Sequence, residues 1–113
     1  MVGDVNGDGI DDIIMGSYQM SGDNEKCADG TGGAGNTCGG AQIYYSPNST
    51  KTTWSTAPDK ELVGMNTSDY AGESVAVGDV NGDGINDVIL GAYQMEGDYS
   101  LCADDVSINT CGG

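Results

Sequence analysis

The sequence predicts an all-β chain, and three observations carry that expectation. The string VGDVNGDGI occurs twice, at Val2–Ile10 and at Val77–Ile85, so the chain repeats a structural unit. Its apolar residues come in short runs bounded by Gly, Asn, Asp or Pro, which is the length and punctuation of strands. No run shows the 3.6-residue apolar stripe of an amphipathic helix, and a helix through the repeated string would carry its glycines at about 1 kcal/mol each.

Taken in order, the first expected strand covers 12–18, around Ile13-Ile14-Met15. The second covers 41–46, where Gln42–Tyr45 ends in β-formers. A shorter third covers 60–64. Pro47 and Pro58 bracket a polar connector that holds Trp54 and reads as a long loop between these two strands. The fourth strand covers 73–79, where Ser74–Gly78 alternates valine with small residues. The fifth covers 87–93, around Val88-Ile89-Leu90.

The repeat extends beyond the shared string. IIMGSYQM (Ile13–Met20) returns as VILGAYQM (Val88–Met95), and Cys27-Ala28-Asp29 returns as Cys102-Ala103-Asp104. This divides the chain into a first repeat over 1–72, lacking the start of its first strand, and a second over 73–113, stopping after its second strand. A repeat architecture buries each unit against its neighbours. Neighbouring repeats are therefore the first expected partners, and Val75, Val77, Ile89 and Leu90 are expected to lose part of their cover in this chain alone.

Charge narrows the functions. Eighteen acids stand against three lysines in 113 residues, a formal net charge of −15. Nucleic acid and anionic membrane surfaces repel such a chain, whereas cations are attracted. No apolar stretch is long enough to span a membrane. There is no histidine. Cys27, Cys38, Cys102 and Cys111 form two local pairs without C-x₂-C spacing, so two disulfides, Cys27–Cys38 and Cys102–Cys111, fit better than a zinc site. Disulfides imply an oxidising compartment, extracellular or at the cell surface. Residues 1–9 show neither a basic nor an apolar leader region, so the natural N-terminus is expected upstream.

The shared string carries the chemistry. It opens the pattern Asp4-x-Asn6-x-Asp8-Gly9-x-x-Asp12, repeated as Asp79-x-Asn81-x-Asp83-Gly84-x-x-Asp87. Calcium takes six to eight oxygens in a flexible cage. Side-chain oxygens at loop positions 1, 3, 5 and 9 converge when the chain curls, and Gly9 or Gly84 permits the sharp turn. The carbonyls of Ile10 and Ile85, at position 7, complete the expected donor set, for two calcium ions in all. An EF-hand is excluded, because position 12 is Met15 or Leu90 rather than glutamate and no helix flanks the loop. Asn-Gly and Asp-Gly also favour plain hairpin turns. Two full copies and three mutually repelling carboxylates per loop favour the cation.

Other signals are weaker. Gly30, Gly32 and Gly35 match G-x-G-x-x-G, but no strand precedes them and no helix follows. Asn48-Ser49-Thr50 and Asn66-Thr67-Ser68 are glycosylation triplets. Tyr18 and Tyr93 occupy matching repeat positions and read as packing at the edge of a sheet; Trp54 reads as a loop anchor, with carbohydrate stacking as the sharper alternative. No catalytic constellation emerges, so the chain is not expected to be an enzyme.

The stretch AGESVAVGDVNGDGINDVILGAY (Ala71–Tyr93) resembles the FG-GAP repeat family, to which the integrin α-subunit propeller and many bacterial secreted proteins belong; Val2–Tyr18 matches it a second time. Gly40–Ser46 resembles the family's third strand and Glu61–Gly64 its fourth. Ala71-Gly72 stands where the family has Phe-Gly, and Gly91-Ala92-Tyr93 and Gly16-Ser17-Tyr18 stand where it has Gly-Ala-Pro. The resemblance implies a β-propeller fragment: about one four-stranded blade plus a hairpin of the next, with calcium-binding loops between strands 1 and 2. It implies a structural, adhesion or binding scaffold that meets a protein or carbohydrate ligand on other surfaces. The alternative is an accessory propeller of a secreted enzyme whose catalytic domain lies elsewhere.

Overall fold

The computed structural model describes residues 1–20, 27, 37–66 and 68–94. Every regular element among them is a strand: β1 Val2–Gly3, β2 Asp12–Gly16, β3 Gly40–Tyr44, β4 Lys60–Val63, β5 Ala71–Gly78 and β6 Asp87–Ala92. The strands form two antiparallel sheets, one ordered β1-β2-β3-β4 and one a hairpin of β5 and β6. This is one four-stranded blade followed by the first hairpin of the next. The five expected strands are all present. The short β1 is what remains of the first repeat's first strand, whose bounds were not set because two residues carry no alternation to read.

Strand alternation sorts each sheet into two faces. In the blade, Ile14 pairs with Ile43 and Gly16 with Ala41. Ile14, Ala41 and Ile43 are buried and form the core. The intervening pairs, Ile13 with Tyr44 and Met15 with Gln42, lie on the opposite face, where Ile13 and Met15 are exposed. In the hairpin, Val75 pairs with Leu90 and Val77 with Val88. These four pack against the blade's core, while Ile89, opposite Ala76, is 43% exposed. Val75, Val77 and Leu90 are only half-buried, in keeping with the expected loss of part of their cover. The blade itself serves as the hairpin's neighbour, and of the four residues Ile89 alone stands exposed.

Close approach of the two sheets depends on missing side chains. A Cβ on Gly3 would meet Val77 Cγ1 at 2.5 Å, and one on Gly16 would meet Val75 Cγ2 at 2.6 Å. Gly72 lies at a register shift in β5 between Ala71 and Ser74, with φ +84°, and a Cβ there would strike the Gly40 carbonyl. No L-residue with a side chain satisfies that position without strain. The link between sheets turns through Ser68 and Tyr70, both at positive φ, and is held by buried Asp69, whose Oδ2 accepts the Asn66 amide at 3.0 Å.

The expected Cys27–Cys38 disulfide is present, with both cysteines buried. Cys102 and Cys111 lie outside the described residues. Tyr70 stacks on Tyr93 with ring centroids 5.4 Å apart and lies 6.3 Å from Tyr18, so the two repeat-related tyrosines pack at the junction of the sheets. The Pro47–Pro58 connector is irregular, as expected, and Trp54 on it is 47% exposed. Among the described residues no helix is long and apolar enough to cross a membrane.

Candidate metal centre

Each acidic loop joins the first two strands of its sheet. The first runs from β1 to β2, and the second from β5 to β6. Gly7 and Gly9 have φ of +79° and +86°, and Gly82 and Gly84 have +80° and +88°. The sequence had pointed to Gly9 and Gly84; the loop also uses the glycine two residues earlier to curl around its first aspartate.

That aspartate is the hub. Asp4 Oδ1 accepts the amides of Gly7 at 2.7 Å and Asp8 at 3.2 Å, and its Oδ2 accepts that of Gly9 at 2.8 Å. In the second loop Asp79 Oδ1 accepts Gly82 at 2.7 Å and Asp83 at 3.1 Å, and Oδ2 accepts Gly84 at 2.8 Å. Asn6 Oδ1 accepts the Asp8 amide at 2.9 Å, as Asn81 Oδ1 accepts the Asp83 amide at 2.9 Å. Asp8 Oδ1 accepts the Ile10 amide at 3.0 Å, and Asp83 Oδ1 accepts the Ile85 amide at 2.8 Å. The closing carboxylates reach back in the same way. Asp12 Oδ2 accepts the Val5 amide at 3.2 Å, and Asp87 Oδ2 the Val80 amide at 3.0 Å.

These contacts have an electrostatic result. Amide donation to Asp79, led by Gly84, holds its carboxyl below the ordinary 3.8. The Asn48 side chain is the main cause of the same lowering at Asp8, with Ile10 adding to it. Asp79 is therefore held anionic chiefly by its own loop's amides, and Asp8 chiefly by the Asn48 side chain.

Two residues of the first centre come from outside the motif. Asn48 Nδ2 donates to Asp8 Oδ2 at 2.6 Å, and the Ser46 amide donates to Asp12 Oδ1 at 2.9 Å. Both follow β3, and both are distant in sequence from the aspartates they hold, so the motif's spacing gives no sign of them. Asn48 is fixed in turn, its Oδ1 accepting the amides of Thr50 and Lys51, each at 2.9 Å. Lys51 pairs with Asp59 and donates to the Tyr45 carbonyl at 2.7 Å. The second loop differs here: Asp87 Oδ1 accepts the Asn81 side chain at 3.5 Å, within the loop itself.

The structure thus brings Asp4, Asn6, Asp8 and Asp12 into one loop, and Asp79, Asn81, Asp83 and Asp87 into the other. It turns their carboxylates onto amides. Among the described residues no three His, Cys, Asp or Glu side chains form a metal-holding group. Donor type nevertheless fits a hard cation: the candidate ligands are all oxygens, and although Asp4 Oδ1 and Asp79 Oδ1 already accept two amides each, the other carboxylate oxygens keep a lone pair beyond the hydrogen bonds above.

No curated protein matches the chain. The family model for the FG-GAP repeat matches residues 1–36 and 71–101. The first match contains β1, the first acidic loop and β2; the second contains β5, the second loop and β6. With more than half its length matched, and with each match holding an acidic loop between two antiparallel strands, the chain belongs to the FG-GAP repeat family.

Proposed function

We propose that this chain is a calcium-stabilised segment of a propeller-type scaffold in a secreted or cell-surface protein. It serves adhesion or binding and catalyses no reaction of its own. Asp4, Asn6, Asp8 and Asp12, with the Ile10 carbonyl, hold one calcium ion. Asp79, Asn81, Asp83 and Asp87, with the Ile85 carbonyl, hold a second. The ions neutralise the carboxylates gathered at each strand connection and fix the start of β2 and β6. Ligands, protein or carbohydrate, meet other surfaces.

The observation that carries this reading is the sameness of the two loops. Six hydrogen bonds recur between equivalent atoms of the two loops, which share the string VGDVNGDGI. A turn that only reverses the chain needs a glycine dipeptide, not three carboxylates, so the acids are retained for a cation. The Cys27–Cys38 disulfide is compatible with an extracellular location.

Calorimetric titration of the chain with calcium tests the reading. Two sites are expected, with dissociation constants of about 10⁻⁵ to 10⁻³ M. Asp8→Ala removes one and Asp83→Ala the other. Two sites persisting in the double variant, or no binding to the native chain, overturns the assignment.

A further inference from the structure

The sequence holds two Asn-Gly steps, Asn6-Gly7 and Asn81-Gly82, and both lie in the acidic loops. Glycine after asparagine leaves the main-chain nitrogen unshielded, because no Cβ stands beside it. That nitrogen can attack the side-chain carbonyl of the preceding asparagine. All four residues are exposed, so water reaches each step. The calcium reading draws on the asparagine oxygens and leaves this reactivity unused.

The closed loops hold both partners of that reaction in place. The attacking group is tied first: the Gly7 amide donates to Asp4 Oδ1 at 2.7 Å, and the Gly82 amide to Asp79 Oδ1 at 2.7 Å. The carbonyl under attack is tied as well. Asn6 Oδ1 accepts the Asp8 amide, and Asn81 Oδ1 the Asp83 amide, each at 2.9 Å. An amide nitrogen attacks only after losing its proton, and a carboxylate that accepts its hydrogen bond stabilises the protonated form. Asp8-Gly9 repeats the pattern, with the Gly9 amide on Asp4 Oδ2 at 2.8 Å and the Ile10 amide on Asp8 Oδ1 at 3.0 Å. There the target is a carboxylate anion, which resists attack by nitrogen. The asparagines are therefore the reactive positions.

We propose that Asn6 and Asn81 are sites of spontaneous deamidation, gated by the Asp4 and Asp79 carboxylates that hold the attacking amides. When the first loop opens, the Gly7 nitrogen gives its proton to solvent and bonds to Asn6 Cγ. The Cγ–Nδ2 bond breaks, Nδ2 takes up a proton and leaves as ammonia, and a five-membered succinimide remains. Water then adds to either carbonyl of that ring and opens it. The product is aspartate or isoaspartate at position 6; water enters, ammonia leaves, one negative charge is gained, and no oxidant or reductant takes part. Asn81 and Gly82 react in the same way. Isoaspartate carries an extra main-chain carbon, which shifts the amides of Gly7, Asp8 and Gly9 relative to Asp4. A loop modified in this way cannot close as before, so the reaction marks loops that have opened. The proposal goes beyond the calcium reading and does not need it.

The test follows the amide-to-acid mass change at each asparagine by peptide mapping, after incubation in neutral, calcium-free buffer. The same buffer with guanidinium chloride supplies the open reference, in which both asparagines are expected to react. In the native chain each is expected to react at least about tenfold more slowly, the factor that one hydrogen bond to a charged group sets. Asp4→Ala should raise the Asn6 rate about tenfold and leave Asn81 unchanged, and Asp79→Ala should do the reverse. Each variant thus carries the other loop as an internal check of its fold. Asp4→Asn keeps an acceptor oxygen for the Gly7 amide, and its Asn6 rate should fall between those of the native chain and Asp4→Ala. Four outcomes overturn the proposal: no reaction in denaturant, a native rate equal to the denatured one, an Asn6 that stays slow in Asp4→Ala, or an Asn81 that accelerates equally in that variant.

Discussion

At the residue scale, the acidic loops were legible because their chemistry is local. Asp4, Asn6, Asp8, Gly9 and Asp12 act on one another within a few residues, and the spacing alone places their oxygens together. Asn48 was not legible, because its partner Asp8 is 40 residues away and the triplet Asn48-Ser49-Thr50 signals a glycosylation acceptor instead. Its role follows from its hydrogen bonds. Asn48 Oδ1 is pinned by the 50–51 backbone, so its Nδ2 is aimed at Asp8 Oδ2 without freedom to wander. Preorganising one ligand of the first loop has no counterpart among the contacts of the second. Asn48→Ala is therefore expected to weaken calcium at the first loop by several-fold, on the order of one charge-assisted hydrogen bond, and to leave the second unchanged. Titration of Asn48→Ala in an Asp83→Ala background isolates the first loop. An affinity equal to that of Asp83→Ala alone would show that Asn48 only packs.

At the element scale, strands announce themselves by apolar runs between turn residues, and each of the five read that way lies within a residue or two of its expected bounds at most ends. The hidden feature was which face of β5 and β6 is covered. Val75, Val77, Ile89 and Leu90 are equally apolar, and only the pairing of Val75 with Leu90 and Val77 with Val88 separates the covered set from Ile89. Glycine identity was likewise ambiguous from the sequence. Gly72 and Gly78 lie at opposite ends of β5, yet one is packed against the Gly40 carbonyl at φ +84° and the other faces open space. Gly72→Ala is expected to destabilise by about 1–3 kcal/mol, the cost of forcing a side chain into that backbone conformation and against β3. Gly78→Ala should change stability by no more than about 0.5 kcal/mol. Chemical denaturation of the two variants measures the contrast; equal losses would show that β5 does not cross the blade at Gly72.

At the scale of the whole molecule, stability is set by apolar contact between two small sheets working against a net charge of −15. Three carboxylates give the pH dependence a definite sign. Asp8 is held below its ordinary value mainly by Asn48, Asp59 mainly by the Lys51 side chain, and Asp79 mainly by the Gly84 amide. A carboxylate with a lowered folded value binds fewer protons in the folded chain than in the unfolded one near that pH. Its contribution is present above the ordinary 3.8 and is lost as pH falls through the lowered value. Protonation removes the acceptor charge that ties the 48–59 connector to the first loop and curls the second loop around Asp79. The calcium-free chain is therefore expected to melt at a lower temperature at about pH 3 than at about pH 6. Asp59→Asn should reduce that difference, because it removes one of the three groups. Added salt acts at neutral pH in the stabilising direction, by screening repulsion among exposed acids beyond about 8 Å at 0.15 M. Thermal unfolding followed by circular dichroism across this range checks the sign. A higher melting temperature at about pH 3 would mean that relief of repulsion, rather than loss of these three anchored carboxylates, governs the acid limb.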